Sequence, residues 1–271
     1  MAAKRSDTFS FDMDGVEKVG VIELTGFIAD AKDVIRQLKH FREEKSVKAI
    51  VVRIDSPGGG VGPSQEIYRE IRKTVRTKKV VASMGAVAAS GGYYVAAGAD
   101  GIVANPGSIT GSIGVIIGFT NFKQLLEKIG LVPVVVKSGE YKDIGSPVRE
   151  MTGEERRIFK KFVDTIHHQF VAAISDGRKM DQADVELLAD GRIFSGEEAK
   201  ELGLVDRLGN LEDAIEWAGR MGGIKGKIST VYGKKKKLSL LTYLTGTSLR
   251  SLVNRTMNPQ VRADYLLQPS D

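Results

Sequence analysis

Ser90 lies in Ala88-Ala89-Ser90-Gly91-Gly92-Tyr93, a serine flanked by small residues. Small neighbours leave the hydroxyl accessible and let main-chain N–H groups come close to a bound carbonyl, as an oxyanion hole for acyl transfer requires. Serine is equally a common helix N-cap, so this local pattern suits a nucleophile and a cap alike. A second glycine-rich turn, Asp55-Ser56-Pro57-Gly58-Gly59-Gly60, has the look of a phosphate cradle. No Gly-Lys-Ser/Thr follows it and no G-x-G-x-x-G is suitably placed, which argues against a nucleotide site.

A serine nucleophile needs a base, and histidine is scarce. His40 precedes both turns on an amphipathic stretch, and His167 and His168 are neighbours within a later helical stretch. Adjacent helical side chains diverge by about a third of a turn, so this pair is poorly disposed to share a metal, and no metal or other cofactor is expected. Cysteine is absent, which excludes disulfides, thiol catalysis and thiolate metal sites. A lysine kept neutral by burial is the better base. Lys142, in the loop Ser138-Gly-Glu-Tyr-Lys-Asp-Ile-Gly-Ser-Pro147, could return to the strand-end face that carries Ser90, with Lys137 as its competitor. An ordinary loop lysine is solvated, so the residues alone leave this choice open.

The elements that must position these groups are legible from periodicity. VGVIEL (19–24), VKAIVVRI (47–54), VVASM (80–84), GIVA (101–104) and VPVVVK (132–137) read as strands. Helical spacing appears between them: Val34, Ile35, Leu38 and Phe41; Ile67, Ile71 and Val75; a turn of helix from about Ser90; and 121–129. Alternating strands and helices predict an α/β fold with mostly parallel pairing, whose strand ends collect the chemistry. Thr152-Gly-Glu-Glu reads as a capping box opening a long helix with Phe159, Phe162, Ile166, Phe170 and Ile174 on one side. Ser195-Gly-Glu-Glu opens a shorter helix and 211–219 forms another, so the second half is mainly helical.

With 271 residues, 42% of them hydrophobic, the chain can bury a substantial core. Its net charge of +6 is modest, and the local excess falls in Lys234–Lys237, ahead of LSLLTYLTGTSLRSLV. A basic run beside a partly amphipathic stretch suits a membrane surface, with a solvated linker as the plainer reading. No apolar run approaches the ~20 residues that span a bilayer, and MAAKRSDTFSFD is neither a signal peptide nor an anchor, so the chain is expected to be soluble. The tail ends in the apolar YLL before QPSD, a composition suited to entering an active site as a substrate mimic.

Five ordered blocks carry a resemblance: DSPGG (55–59), GAVAASGGYYVAAGAD (85–100), GSITGSIGV (107–115), SGEYKDIGSPVREMTGEER (138–156) and DGRIFSGEEAKELGLVDRLGNLEDAI (190–215). Together, over about residues 19–216, the chain resembles the signal peptide peptidase A family. The resemblance implies a fold like that of the caseinolytic protease and crotonase group, with repeated β-β-α units, a mostly parallel sheet and a helical C-terminal part. It places the nucleophile on Ser90, the general base on Lys142 and the oxyanion amides on Gly59 and Gly91. Ile113, Val115 and Ile117, in an expected strand, are assigned to one wall of the substrate groove.

The implied activity is hydrolysis of hydrophobic peptides, such as remnant signal peptides, with no metal, ATP or nucleic acid. A ring-shaped homo-oligomer is implied too, acting at the outer face of the cytoplasmic membrane, although the usual anchor is not seen in this sequence. Domain limits are expected at 1–18 (N-terminal segment), 19–216 (protease domain) and 217–271 (basic, partly amphipathic extension). A crotonase-type acyl-CoA enzyme and a non-hydrolytic peptide-binding scaffold are the alternatives.

Overall fold

The computed structural model describes residues 16–233 and 264–266. Three parallel strands form its centre: β1 (Lys18–Thr25), β2 (Val47–Ser56) and β4 (Lys79–Ala89), with β2 in the middle. β2 is apolar on both faces because both are covered. Ile50, Val52 and Ile54 enter the larger core cluster, while Ala49 and Val51 enter the smaller one.

The larger cluster takes in α1 (Lys32–Glu43), α2 (Val61–Thr74), α3 (Gly91–Ala96) and α5 (Gly153–Arg178), through residues that include Leu38, Ile67, Ile71, Tyr93, Phe170 and Ile174. The smaller is closed by α8 (Leu211–Met221), through Ala214, Ile215 and Ala218.

The long β4 serves two neighbours in succession. Val81–Ser83 pair with β5 (Gly101–Ala104), and Val87–Ala89 pair with β6 (Ile109–Gly111), both parallel. The sheet is completed by β7 (Ile193–Ser195), antiparallel to β6, by β8 (Arg207–Leu208) beside β5, and by β9 (Ser229–Tyr232) beside β1. α8 and β9 therefore carry the folded unit past residue 216 to Tyr232. α6 (Gln182–Leu188) and α7 (Gly196–Glu201) lie between α5 and β8 in sequence.

Both expected capping boxes form. Thr152 Oγ1 accepts from the Glu155 amide at 3.2 Å while Glu155 Oε2 accepts from the Thr152 amide at 2.9 Å, and Ser195 and Glu198 reciprocate in the same way.

One expected strand does not form. After α4 (Lys123–Lys128), residues 131–137 join no ladder, and Val132, Val134 and Val136 are 83%, 86% and 96% exposed. Their apolar content mimics a buried strand, but Pro133 removes one donor and no edge of this sheet reaches them. Residues 112–117 likewise form no strand beyond a single bridge residue at Ile116. Among the described residues no helix is long and apolar enough to cross a membrane. The basic run at 234–237 and the amphipathic stretch after it lie outside the described residues.

Candidate active site

β4 delivers Ser90 to a sharp strand-to-helix turn. Its backbone takes φ 51° and ψ −117°, an unusual conformation for a residue with a side chain and one that costs of the order of 1–3 kcal/mol. The turn is held on both sides, the Ser90 amide donating to the Gly111 carbonyl at 2.8 Å and the Tyr94 amide to the Ser90 carbonyl at 2.8 Å. Ser90 is 1% exposed, and among the described residues its Oγ has no hydrogen-bond partner. Burying a hydroxyl unpaired is unfavourable, so this group is kept for something other than stability. Ser90 is also no side-chain cap for α3.

Beside it runs a short glycine strand, β3 (Gly58–Gly60). Ser56 shapes the approach: its Oγ donates to the Gly26 carbonyl at 2.6 Å and accepts from the Gly58 amide at 3.1 Å. On one edge β3 meets Ile28, whose amide donates to Gly58 O and whose carbonyl accepts from Gly60 N, both at 2.9 Å.

Its other edge carries β10 (Asp264–Leu266), a piece of the chain's own tail, antiparallel and with Tyr265 opposite Gly59. The backbones are very close. A β-carbon on Gly58, whose φ is +105°, would stand 2.0 Å from the Tyr265 carbonyl oxygen. One on Gly91 would stand 3.2 Å from that oxygen and 3.2 Å from the Gly59 amide nitrogen. Gly58 and Gly91 thus crowd the Tyr265 carbonyl oxygen, with the Gly59 amide nitrogen beside Gly91.

The Tyr265 side chain is wholly buried. Its ring stacks on Tyr94 at 5.1 Å and 17° and packs on Phe170 at 4.5 Å, and its hydroxyl donates to the Ile166 carbonyl at 3.2 Å. Burial raises the Tyr265 phenol above its ordinary range and pushes Tyr94 up to about 12. Of the residues assigned to the groove wall, Ile113 is wholly buried in the core, Val115 packs against it and Ile117 is half-buried.

Lys142 lies at the surface, whereas Ser90 is buried. The lysine sits on a chain of turns, its amide bonded to the Gly139 carbonyl at 3.1 Å, and among the described residues no side-chain hydrogen bond or ion pair engages its amine. The loop around it is tightly tied. Lys137 Nζ donates to Asp143 Oδ1 at 2.7 Å and to the Glu140 carbonyl at 2.8 Å, so the rival lysine is committed to an ion pair. Arg149 joins Asp143, at 2.8 Å, to Glu155 in the first turn of α5, at 2.9 Å. Hydrogen bonds from Arg149 hold the carboxyls of both Asp143 and Glu155 well below the usual range, Glu155 at about 2.

Sequence reasoning overlooked Ser112. It is buried, takes φ 48° and directly follows Gly111, the residue that accepts the Ser90 amide. The signal is a second serine in the run Gly-Ser-Ile-Thr-Gly-Ser-Ile-Gly. The pocket of Tyr94, Ile166 and Phe170 around Tyr265 was also missed, because it joins residues far apart in sequence. Among the described residues no cluster of metal-ligating side chains occurs.

Comparison with known proteins places this arrangement. The model for peptidase family S49 matches residues 72–225, and that for Clp protease matches residues 13–109. A Synechocystis sp. protein carrying a provisional protease name is 47% identical over 231 residues, which are 83% of each chain. The chloroplastic serine protease SPPA of Arabidopsis thaliana is 35% identical over 242 residues, 88% of this chain and 36% of that one. Protease 4 of Salmonella typhi is 33% identical over 217 residues, 76% of this chain and 35% of its own. The chain spans about a third of these last two relatives. With more than half its residues inside one peptidase model, and with the parallel sheet and helices of a Clp-type fold, the chain belongs to peptidase family S49.

Proposed function

We propose that this protein is a serine endopeptidase that cuts apolar peptides through an acyl-enzyme on Ser90, with Lys142 as general base. The observation that carries the reading is the buried, unpartnered Ser90 hydroxyl beside a glycine strand that pairs with an extended peptide. Ser90 Oγ attacks the peptide carbonyl and passes its proton to the Lys142 amine, while the amides of Gly59 and Gly91 receive the developing oxyanion. Lys142 then protonates the departing amine, and takes a proton from water as that water opens the ester. Neither a metal nor ATP enters these steps.

Within one copy Lys142 is exposed and Ser90 is enclosed without a partner. A second copy can supply the missing contact. Residues leading to Lys142 form an apolar surface with little cover, including Leu131, Val132, Val134 and Val136, and Phe162 on α5 is 48% exposed. A surface of this kind is usually a protein interface. We place the base of one copy over the serine of its neighbour in a homo-oligomeric ring. The family resemblance supports extending the proposal to apolar substrates such as remnant signal peptides, cut at the outer face of the cytoplasmic membrane.

The test is hydrolysis of an apolar fluorogenic peptide. Ser90→Ala and Lys142→Ala should each lose ~10³-fold or more in kcat/KM. Lys137→Ala should lose ~10-fold, through a loosened loop. Equal rates in wild type and both dyad variants would overturn the assignment. Peptide binding without turnover by the wild type would favour a binding scaffold.

A further inference from the structure

We propose that Asp55 and Ser108 are positioning residues for Ser90, on which they act through a bulge in β4. This rests on the peptidase reading and deepens it.

β4 changes partners just ahead of the nucleophile. It pairs with β5 up to Ser83 and with β6 from Val87, so Met84, Gly85 and Ala86 are in register with neither. On its other edge, the pairs Ile54–Met84 and Ser56–Ala88 enclose one residue of β2, Asp55, against three of β4, Gly85, Ala86 and Val87. A bulge re-aims the residues that follow it and sets the register in which pairing resumes. Here pairing with β6 begins at Val87, and Ser90 stands three residues on. Side chains alternate between faces, so a slip of one residue over Val87–Ala89 would present the wrong face at the turn and misplace the nucleophile.

Side chains hold the bulge at both ends. Ser108, itself buried, donates from Oγ to the Gly85 carbonyl at 2.6 Å and accepts from the Asn105 amide at 3.2 Å. Asp55 Oδ1 accepts from the Val87 amide at 3.1 Å. A β-carbon on Gly85 would stand 2.9 Å from Asp55 Cβ and Cγ, so the glycine makes room for this carboxylate. Arg53 and Asn105 both donate to the Met84 carbonyl, at 2.9 Å and 3.3 Å. Among the described residues neither the Asp55 nor the Ser108 side chain hydrogen-bonds to Ser90 or to β3, so their effect passes along the strand. Displacing a reacting group by about 1 Å costs ~10²-fold in rate without removing the surface that binds the peptide.

Steady-state hydrolysis of the apolar fluorogenic peptide, alongside the thermal midpoint of each full-length variant, tests the proposal. Asp55→Ala and Ser108→Ala should each lower kcat by ~10- to 100-fold and change KM by less than ~3-fold. Asp55→Asn keeps an oxygen that accepts from Val87 and should hold kcat within ~3-fold of wild type, a comparison that stands even if Asp55→Ala fails to fold. Unchanged kcat in the alanine variants, with or without a lowered thermal midpoint, would overturn the proposal and leave the peptidase reading standing. A loss of kcat in Asp55→Asn as large as in Asp55→Ala would also overturn it, because the charge and not the bond to the bulge would then matter. A wild type that cuts no peptide would overturn the peptidase reading, and the positioning role with it.

Discussion

At the residue scale the site depends on groups held in costly states. Ser90 is strained and unpaired, while the loop of Lys142 is pinned by the series Lys137, Asp143, Arg149 and Glu155. The second arrangement has a pH signature. The Glu155 carboxyl titrates near 2 when folded against an ordinary 4.5, so its contribution to stability is complete above about 4.5 and is lost as pH falls through about 2. Glu155→Gln should therefore lower the thermal midpoint at pH 7 by a few degrees, and its gap from the wild type should close between pH 4.5 and 2. A gap that stays constant over that range would show that this ion pair contributes no pH-linked stability. The small neighbours of Ser90 marked a tight turn but left nucleophile and cap open, and the geometry of the turn shows no side-chain cap there. The lysine was not legible, because nothing local distinguishes Lys142 from Lys137 until the structure engages Lys137 with Asp143.

At the element scale most of the fold was legible because apolar periodicity reports burial directly. β1, β2, α1, α2 and α5 appear where their patterns placed them. The pattern failed where pairing partners, not side chains, decide the outcome. Residues 131–137 have strand composition but no strand beside them, whereas β3 is three glycines with no pattern at all and is nevertheless paired on both edges. That strand is open to a direct test. Gly58→Ala puts a β-carbon in a positive-φ position and onto the groove, so it should cost ~1–3 kcal/mol in denaturant unfolding and reduce peptide turnover by ~100-fold or more. Gly62→Ala, within α2 and with nothing within 4 Å of its added carbon, is the control and should leave both close to wild type. Full turnover by Gly58→Ala would move the groove away from β3.

At the scale of the whole molecule, the sheet and its two helical layers explain how Ser90, the glycine strand and the aromatic pocket are held together. They leave Lys142 exposed, after an exposed apolar stretch at residues 131–136. No reading of one sequence could reveal that difference in burial, since a second copy obeys geometry and not pattern. The proposed active site is shared between copies. Purified Ser90→Ala and Lys142→Ala, each expected to be inactive alone, should be mixed under conditions that let subunits exchange, and hydrolysis of an apolar fluorogenic peptide then measured. Pairing the intact serine of one copy with the intact lysine of another predicts recovery of about a quarter of the wild-type rate on random mixing. A mixture no faster than its two components would contradict the shared site.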